Sequence, residues 1–300
     1  MRFPPSAQPL PSRAARTQIH GMSTRRDFLT TLGVALGAAS LGRARALEAE
    51  DATRSLPRIG IQLYTLRSLM EKDVEGTLAR VAGIGYKEVE FAGYFGRSPA
   101  HIRDVLKANG LTSPSTHIPL PASDDAWKRS LDEAKAIGHE WAVIPWLDAA
   151  MRNDWPRIAE RFNALAAMAK ANGLRFAYHN HDFEFARVGN GTALDTLLAK
   201  TDPKLVDFEM DLYWVVKGGG DPLELFRRHA HRFPLMHAKD ATAAPARAMV
   251  DVGSGTIGFA KIFARQKDSG MAHVYVEHDS PTDPLQSATN SYRYLAGLKF

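Results

Sequence analysis

The sequence predicts an α/β protein, a (β/α)8 TIM barrel spanning residues 58–300. Three observations carry this reading. Apolar, β-rich runs alternate with amphipathic stretches from Arg58 to the C-terminus. Eight such runs are present, several of them continuously apolar, as strands buried on both faces must be. No Gly-x-Gly-x-x-Gly follows any of them and no Walker loop is present. A doubly wound open sheet, the competing architecture, therefore loses ground.

In chain order the expected strands are "IGIQLYTL" (59–66), "KEVEFAGY" (87–94), "LTSPSTHI" (111–118), "WAVIPW" (141–146), "RFAYHNH" (175–181), "LVDFEMDLYW" (205–214), "FPLMHAKD" (233–240) and "HVYVEHD" (273–279). Helices are expected between them. The 73–85 stretch spaces Val74, Leu78 and Val81 at helical intervals and ends in glycine. The 98–110 stretch offers Ser98 as N-cap, Pro99 at the first helical position and Gly110 as a stop. Similar patterns cover 124–138, 154–173, 221–230, 258–270 and 283–298. The long segment 241–258 is read as a βα loop serving the mouth of the barrel.

Composition narrows the chemistry. The chain has 300 residues, 45% of them hydrophobic, and no cysteine. Disulfides, thiolate metal sites and a cysteine nucleophile are excluded. The net charge of +5 is local. Residues 1–46 hold seven arginines and one acid, Asp27; removing these from the 38 basic and 33 acidic residues leaves 31 and 32, a net charge of −1. The body gives no sign of a nucleic-acid partner.

The arginines belong to a leader. From Met22 it reads "MSTRRDFLTTLGVALGAASLGRARA": an arginine pair, fourteen uncharged residues (Phe28 to Leu41), then a small-residue site at Ala44-Arg45-Ala46. The run is too short for a stable membrane anchor, which needs about 20 apolar residues. The order of regions is that of an export signal, and Ser-Thr-Arg-Arg-Asp-Phe-Leu resembles the twin-arginine motif, implying the twin-arginine export machinery as partner. Residues 1–46 are thus expected to be removed, with Met22 as the start, 47–57 forming an N-terminal extension and the protein residing in the periplasm. Intact-mass analysis of the native periplasmic protein should give a chain beginning near Leu47. A cytoplasmic protein retaining residues 22–46 would overturn this.

In such a barrel chemistry collects at the C-terminal ends of the strands. Those ends present Tyr64, Glu90, His117, Pro145 and Trp146, then His179, Asn180, His181, Asp182 and Glu184, then Glu209 and Asp211, then His237, Lys239 and Asp240, and finally Glu277, His278 and Asp279. Buried charges are costly unless paired, and one shared cation would offset that cost for several acids. Asp182 and Glu184 are read as solvated loop residues, and His101, His139, His229 and His231 as surface residues. His273, at the opposite end, is read as structural. Glu209 is read as an inward-facing group or half of an ion pair.

"YHNHDFEF", "DLYW…GGGDP", "HAKD" and "VEHD" on strands five to eight resemble the sugar phosphate isomerase/epimerase family, the xylose-isomerase-like barrels. The resemblance covers about residues 58–298. It implies one divalent cation held by Asp211, His237 and Glu277. The family's strand-five glutamate is replaced by His179, or by Tyr178 in a slipped alignment, and one of His179 and His181, His179 first, is the expected fourth ligand. The resemblance implies manganese first; two imidazoles and two carboxylates also suit zinc, cobalt or iron, and magnesium less well. Glu277, His181, His117 and Lys239 are the expected proton-transfer groups, with Glu277 as base and His179, His181 or His117 as acid. Tyr64, Glu90, Asn180, Trp146 and Trp214 are expected substrate contacts. Trp214 and Gly258 stand where relatives often have histidine and aspartate.

The resemblance implies an isomerase or epimerase that abstracts a proton next to the carbonyl of a small-molecule sugar, keto-sugar or related polyol. The changed strand five breaks the family's carboxylate pair and raises a dehydratase or lyase as the alternative, inosose-dehydratase-like or acting on keto-glycosides. A non-catalytic sugar-binding barrel and a phosphodiesterase are the other readings; the body's charge argues against the latter. A homodimer is compatible with all of them.

Overall fold

The computed structural model describes residues 54–300; the leader, its cleavage site and residues 47–53 lie outside them. Eight parallel strands close into a barrel: β1 (Gly60–Gln62), β2 (Glu88–Phe91), β3 (Thr112–His117), β4 (Trp141–Ile144), β5 (Arg175–His179), β6 (Val206–Asp211), β7 (Leu235–Ala238) and β8 (His273–Val276). Each pairs with its sequence neighbour, and β8 returns to β1 with Gly60 opposite Tyr275. Gly60 is required there, because a Cβ would collide with the Tyr275 ring.

Helices pack outside: α1 (Val74–Ile84), α2 (Pro99–Ala108), α3 (Asp124–Ile137), α4 (Trp155–Ala171), α5 (Ala193–Lys200), α6 (Leu212–Lys217), α7 (Pro222–Arg228), α8 (Phe259–Phe263) and α9 (Pro284–Gly297). Their starts follow local chemistry. Ser98 accepts from the His101 amide, Ser123 from Ala126, Asp154 from Arg157 and Asp283 from Gln286. These side chains satisfy amides that have no partner within the helix. In α3, Trp127, Leu131 and Ala134 recur at helical spacing and are buried against the strands. Helix α5 was missed by the periodicity reading, yet Thr192 and Asp195 form a reciprocal capping box at its start.

The barrel interior is apolar in the middle, where Trp141, Val143, Ala177, Leu235 and Tyr275 form their own cluster. Its N-terminal end is closed by ion pairs. Arg175 Nη2 lies 2.7 Å from Asp207 Oδ2 and His273 Nδ1 2.7 Å from Glu88 Oε2. His273 is therefore structural. Between β2 and β3 the register shifts: Glu88 faces Thr112 but Glu90 faces Ser115. Pro114 lies inside this irregularity, where a residue without an amide hydrogen is tolerated.

Three expectations need correction. β6 does not run to residue 214; it stops at Asp211, whose Oδ1 accepts from the Trp214 amide at 3.0 Å and caps α6. Trp214 thus sits in the first turn of a helix. The 241–258 loop contributes nothing to the cavity lining. It wraps buried Asp240 instead, whose carboxylate accepts from the amides of Gly253, Gly255 and Ile257 at 2.9, 3.0 and 3.1 Å. His139 is buried, its Nδ1 2.6 Å from the Ser113 carbonyl, because the last turn of α3 tucks it under β3. No helix among the described residues is long and apolar enough to cross a membrane.

Candidate metal centre

The parallel register brings the strand-end residues together on one rim. His237, on β7, lies between three carboxylates: its Nδ1 is 2.7 Å from Glu277 Oε2, and its Nε2 is 2.7 Å from Glu90 Oε2 and 3.2 Å from Glu209 Oε2. His179, at the end of β5, has Nδ1 3.0 Å from Glu209 Oε2 and Nε2 3.7 Å from Asp211 Oδ2. His117, ending β3, has Nε2 2.7 Å from Glu209 Oε2 and 3.2 Å from Glu90 Oε2. Lys239 Nζ spans Asp279 Oδ1 at 2.7 Å, Glu277 Oε2 at 2.8 Å and Asp211 Oδ2 at 3.0 Å.

These groups are withdrawn from water: Glu90, Glu209, Asp211 and His237 are fully buried, and His179, Lys239 and Glu277 nearly so. Burial opposes every charge, and neighbours decide the outcome. Burial raises Asp211 to about 6, although Lys239 and His237 favour its charged form. For Glu277 the same burial is outweighed by Lys239 and His237, which hold it well below the carboxylate range. Burial likewise disfavours charge on His117, but Glu90 and Glu209 lift it to about 9. His179 is pushed well down by burial and by the cationic side chains around it. His181 falls to about 3, from burial and from Lys239.

Two sets of donors lie close enough to share an ion. The ligand atoms of His179, Asp211, His237 and Glu277 fall within 4.8 Å of one another, as do those of His117, His179, Glu209 and His237. The first set is the quartet expected from the sequence. Asp211 Oδ2 is buried with no hydrogen bond, its approach to Lys239 lacking hydrogen-bond geometry, and Glu209 Oε1 is buried without any partner. Unfilled anionic lone pairs beside neutral imidazole nitrogen are what a divalent cation satisfies, so these residues fit a metal ion.

Above the cluster opens a cavity of about 680 Å³. Tyr64, His117, Trp146, His179, His181, Trp214, Lys239 and Glu277 line it. Glu90 and Asn180, expected as substrate contacts, are not among the residues that line it. Gln62 Nε2 donates to Glu90 at 2.8 Å and the Ser115 hydroxyl also donates to it. Asn180 Oδ1 accepts from the Asp211 amide at 3.1 Å. Both orient the cluster from beneath. Glu209, left open between two roles by the sequence, contacts three imidazoles; the period-two alternation of Asp207, Glu209 and Asp211 was its only signal.

The segment after β5 is held from below. Glu184 is fully buried rather than solvated: the Tyr178 hydroxyl donates to Oε1, and the His181 amide donates to Oε2 at 2.8 Å. Phe185 packs so closely on Gly218 and Gly220 that a Cβ at either would strike its ring, and Gly219 between them has φ +84°, which together account for the "GGG" sequence. Burial raises Glu184 to about 7, only partly offset by these hydrogen bonds. The native protein therefore keeps a proton that the unfolded chain, titrating near 4.3, has lost. Stability should fall as pH rises from about 4.5 through 7 and then level off with respect to this group. Thermal melts from pH 5 to 8 should show a shallower decline in Glu184→Gln than in wild type; equal slopes would remove Glu184 as the cause.

Residues 78–298 match the sequence profile of the xylose isomerase-like TIM barrel. The chain belongs to this family. Within it, the chain is 24% identical over 256 residues to an inosose dehydratase of Geobacillus kaustophilus, covering 66% of this chain and 82% of that protein. An inosose dehydratase of Clostridium perfringens is 27% identical over 75% of this chain and 90% of its own length. A crystal structure of a sugar phosphate isomerase/epimerase from Parabacteroides distasonis superposes with a TM-score of 0.71 and 27% identity, over 81% of this chain and 95% of that one. In this xylose isomerase-like barrel the His/Asp/Glu cluster sits on the rim where the fold concentrates chemistry.

Proposed function

We propose that the protein is an exported, metal-dependent lyase of the dehydratase type. It removes a proton next to the carbonyl of a keto-sugar or ketopolyol and expels a neighbouring hydroxyl as water. The observation that carries this is one cavity wall on which His181, Lys239 and Glu277 stand beside the His179/Asp211/His237/Glu277 quartet. The inosose dehydratase relatives support the same chemistry.

His179, Asp211, His237 and Glu277 would hold a divalent ion, manganese first, which when bound would supply Lewis-acid polarisation of a carbonyl oxygen. The chain's own residues do the rest. His181 lines the cavity with a ring that burial and Lys239 keep neutral, a state that can accept a proton but not supply the one expected from the sequence. Lys239 is the donor: Asp279 and Glu277 keep its ammonium charged and fix its direction. The C–H pair forms the new C=C bond, the C–O bond breaks, and the Lys239 proton leaves with the hydroxyl. His117, tied to Glu209 and Glu90, completes the charge balance beneath.

An isomerase or epimerase reading shares the first step and differs in the second, the proton returning to carbon. The relative from Parabacteroides distasonis favours it by name. One experiment addresses both. The mature protein, supplied in turn with manganese, zinc and cobalt, is incubated with keto-sugars, inososes and keto-glycosides in deuterated water. Deuterium should enter next to the carbonyl and the product should lack one water. Exchange without loss of water selects the isomerase. No exchange with any metal leaves a sugar-binding barrel and overturns the enzymatic reading.

A further inference from the structure

The cavity is larger than one sugar ring requires. Its 680 Å³ lies in the range of roughly 300–1,000 Å³ that encloses drug-sized ligands. It is also divided in character. His179, Lys239 and Glu277 mark a buried, polar end, whereas Tyr64 and Trp146 are 42% and 46% exposed. Among the described residues three large hydrophobic side chains are exposed, and these are two of them.

Both rings are exposed yet fixed. The Arg67 guanidinium lies 4.1 Å from the Tyr64 ring centroid, and that of Arg152 lies 4.5 Å from the Trp146 centroid. His181 and Phe183 meet the Trp146 indole edge-on at 4.7 and 5.2 Å. Neither arginine lines the cavity. Each ring thus has a guanidinium packed on it while the ring itself lines the cavity. A ring already immobilised loses little entropy when a flat partner stacks on it.

From this we infer that the natural ligand carries a second ring beyond the reacting sugar, joined by a glycosidic oxygen, and that Tyr64 and Trp146 form the subsite for it. The substrate class is then a keto-glycoside rather than a free keto-sugar. The inference rests on the carbonyl reading of the buried end. An aromatic aglycone and a second pyranose share the chemistry recognised here, a flat face of C–H bonds or π-electrons.

The test uses probes that cannot react: methyl, phenyl and glucosyl glucosides in both anomeric forms, titrated by tryptophan fluorescence and calorimetry. The phenyl or glucosyl compound should bind roughly threefold to tenfold more tightly than the methyl one. A preference for phenyl alone identifies an aromatic aglycone, and one for glucosyl alone an oligosaccharide. Trp146→Ala should cancel the preference and Trp146→Phe restore part of it; melting curves of both variants establish that the fold persists. Equal binding of all probes, no binding of any, or a preference unchanged in Trp146→Ala overturns the subsite. The deuterium exchange above keeps the two readings apart. Exchange on free keto-sugars without a ring preference removes the subsite alone, and a ring preference without exchange removes the carbonyl chemistry alone.

Discussion

His237→Ala should abolish stoichiometric binding of a divalent cation, while His179→Ala should lower affinity by roughly 10- to 100-fold, the loss typical of a weakened metal shell. The difference follows from position. Both imidazoles belong to both donor sets, but His237 is fully buried between Glu277 on one side and Glu90 and Glu209 on the other, whereas His179 approaches only Glu209, at 3.0 Å, and Asp211, at 3.7 Å. Loss of His237 leaves its carboxylates facing one another without a cation, so the variant should also be less stable by about 3–5 kcal/mol, the cost of breaking a buried ion pair. His181→Ala should keep metal affinity and lose turnover. Metal content after dialysis, calorimetric titration and denaturant unfolding check the three variants. If His179→Ala and His181→Ala both bind metal as wild type does, neither imidazole is a ligand and Glu209 becomes the replacement, since it already touches His117, His179 and His237.

Lys239→Met should separate catalysis from metal binding. In the metal-free protein the ammonium is the cation shared by Asp211, Glu277 and Asp279. Methionine preserves the apolar stem but takes the ammonium from three acids, leaving Glu277 with His237 alone, so the apo variant should lose about 3–5 kcal/mol of stability. Added metal should restore much of that, about 4 kcal/mol at a thousandfold excess over Kd, because a divalent ion neutralises Asp211 and Glu277. Turnover should stay depressed by roughly 10²- to 10⁴-fold even at saturating metal, the usual range for a lost general acid. Melting with and without metal, alongside single-turnover rates, tests this. An apo variant as stable as wild type would show that Lys239 carries no such balancing charge, and full activity would exclude it as the proton donor.

Much of the site was legible because strand ends are a local signal. Apolar runs that finish in "HNH", "MD", "HAKD" and "VEH" announce that polar groups stand where a buried strand emerges. Period-two alternation then says which of them share a face, as for Asp207, Glu209 and Asp211. That logic placed His179, Asp211, His237 and Glu277 on the rim among other candidates, one strand at a time; the family resemblance singled them out as a ligand set. It stopped where roles depend on neighbours. Glu90 and Asn180 look like rim residues in the chain, but β1, β3 and β6 cover them. Glu184 looks like a loop carboxylate until Tyr178 closes over it.

By itself the sequence determined the barrel, the direction in which its chemistry faces and the residue types offered to a cation, because these follow from periodicity, capping and the alternation of strand and helix. Only the tertiary structure decided which polar atoms meet. The closed register of eight strands places Glu90 and Glu277, 187 positions apart in the chain, on opposite nitrogens of one imidazole. It also sets Lys239 among three acids and turns His181 into a neutral ring. Protonation state and coordination depend on contacts between strands distant in sequence and on the water that those contacts exclude, and neither is written in any local pattern.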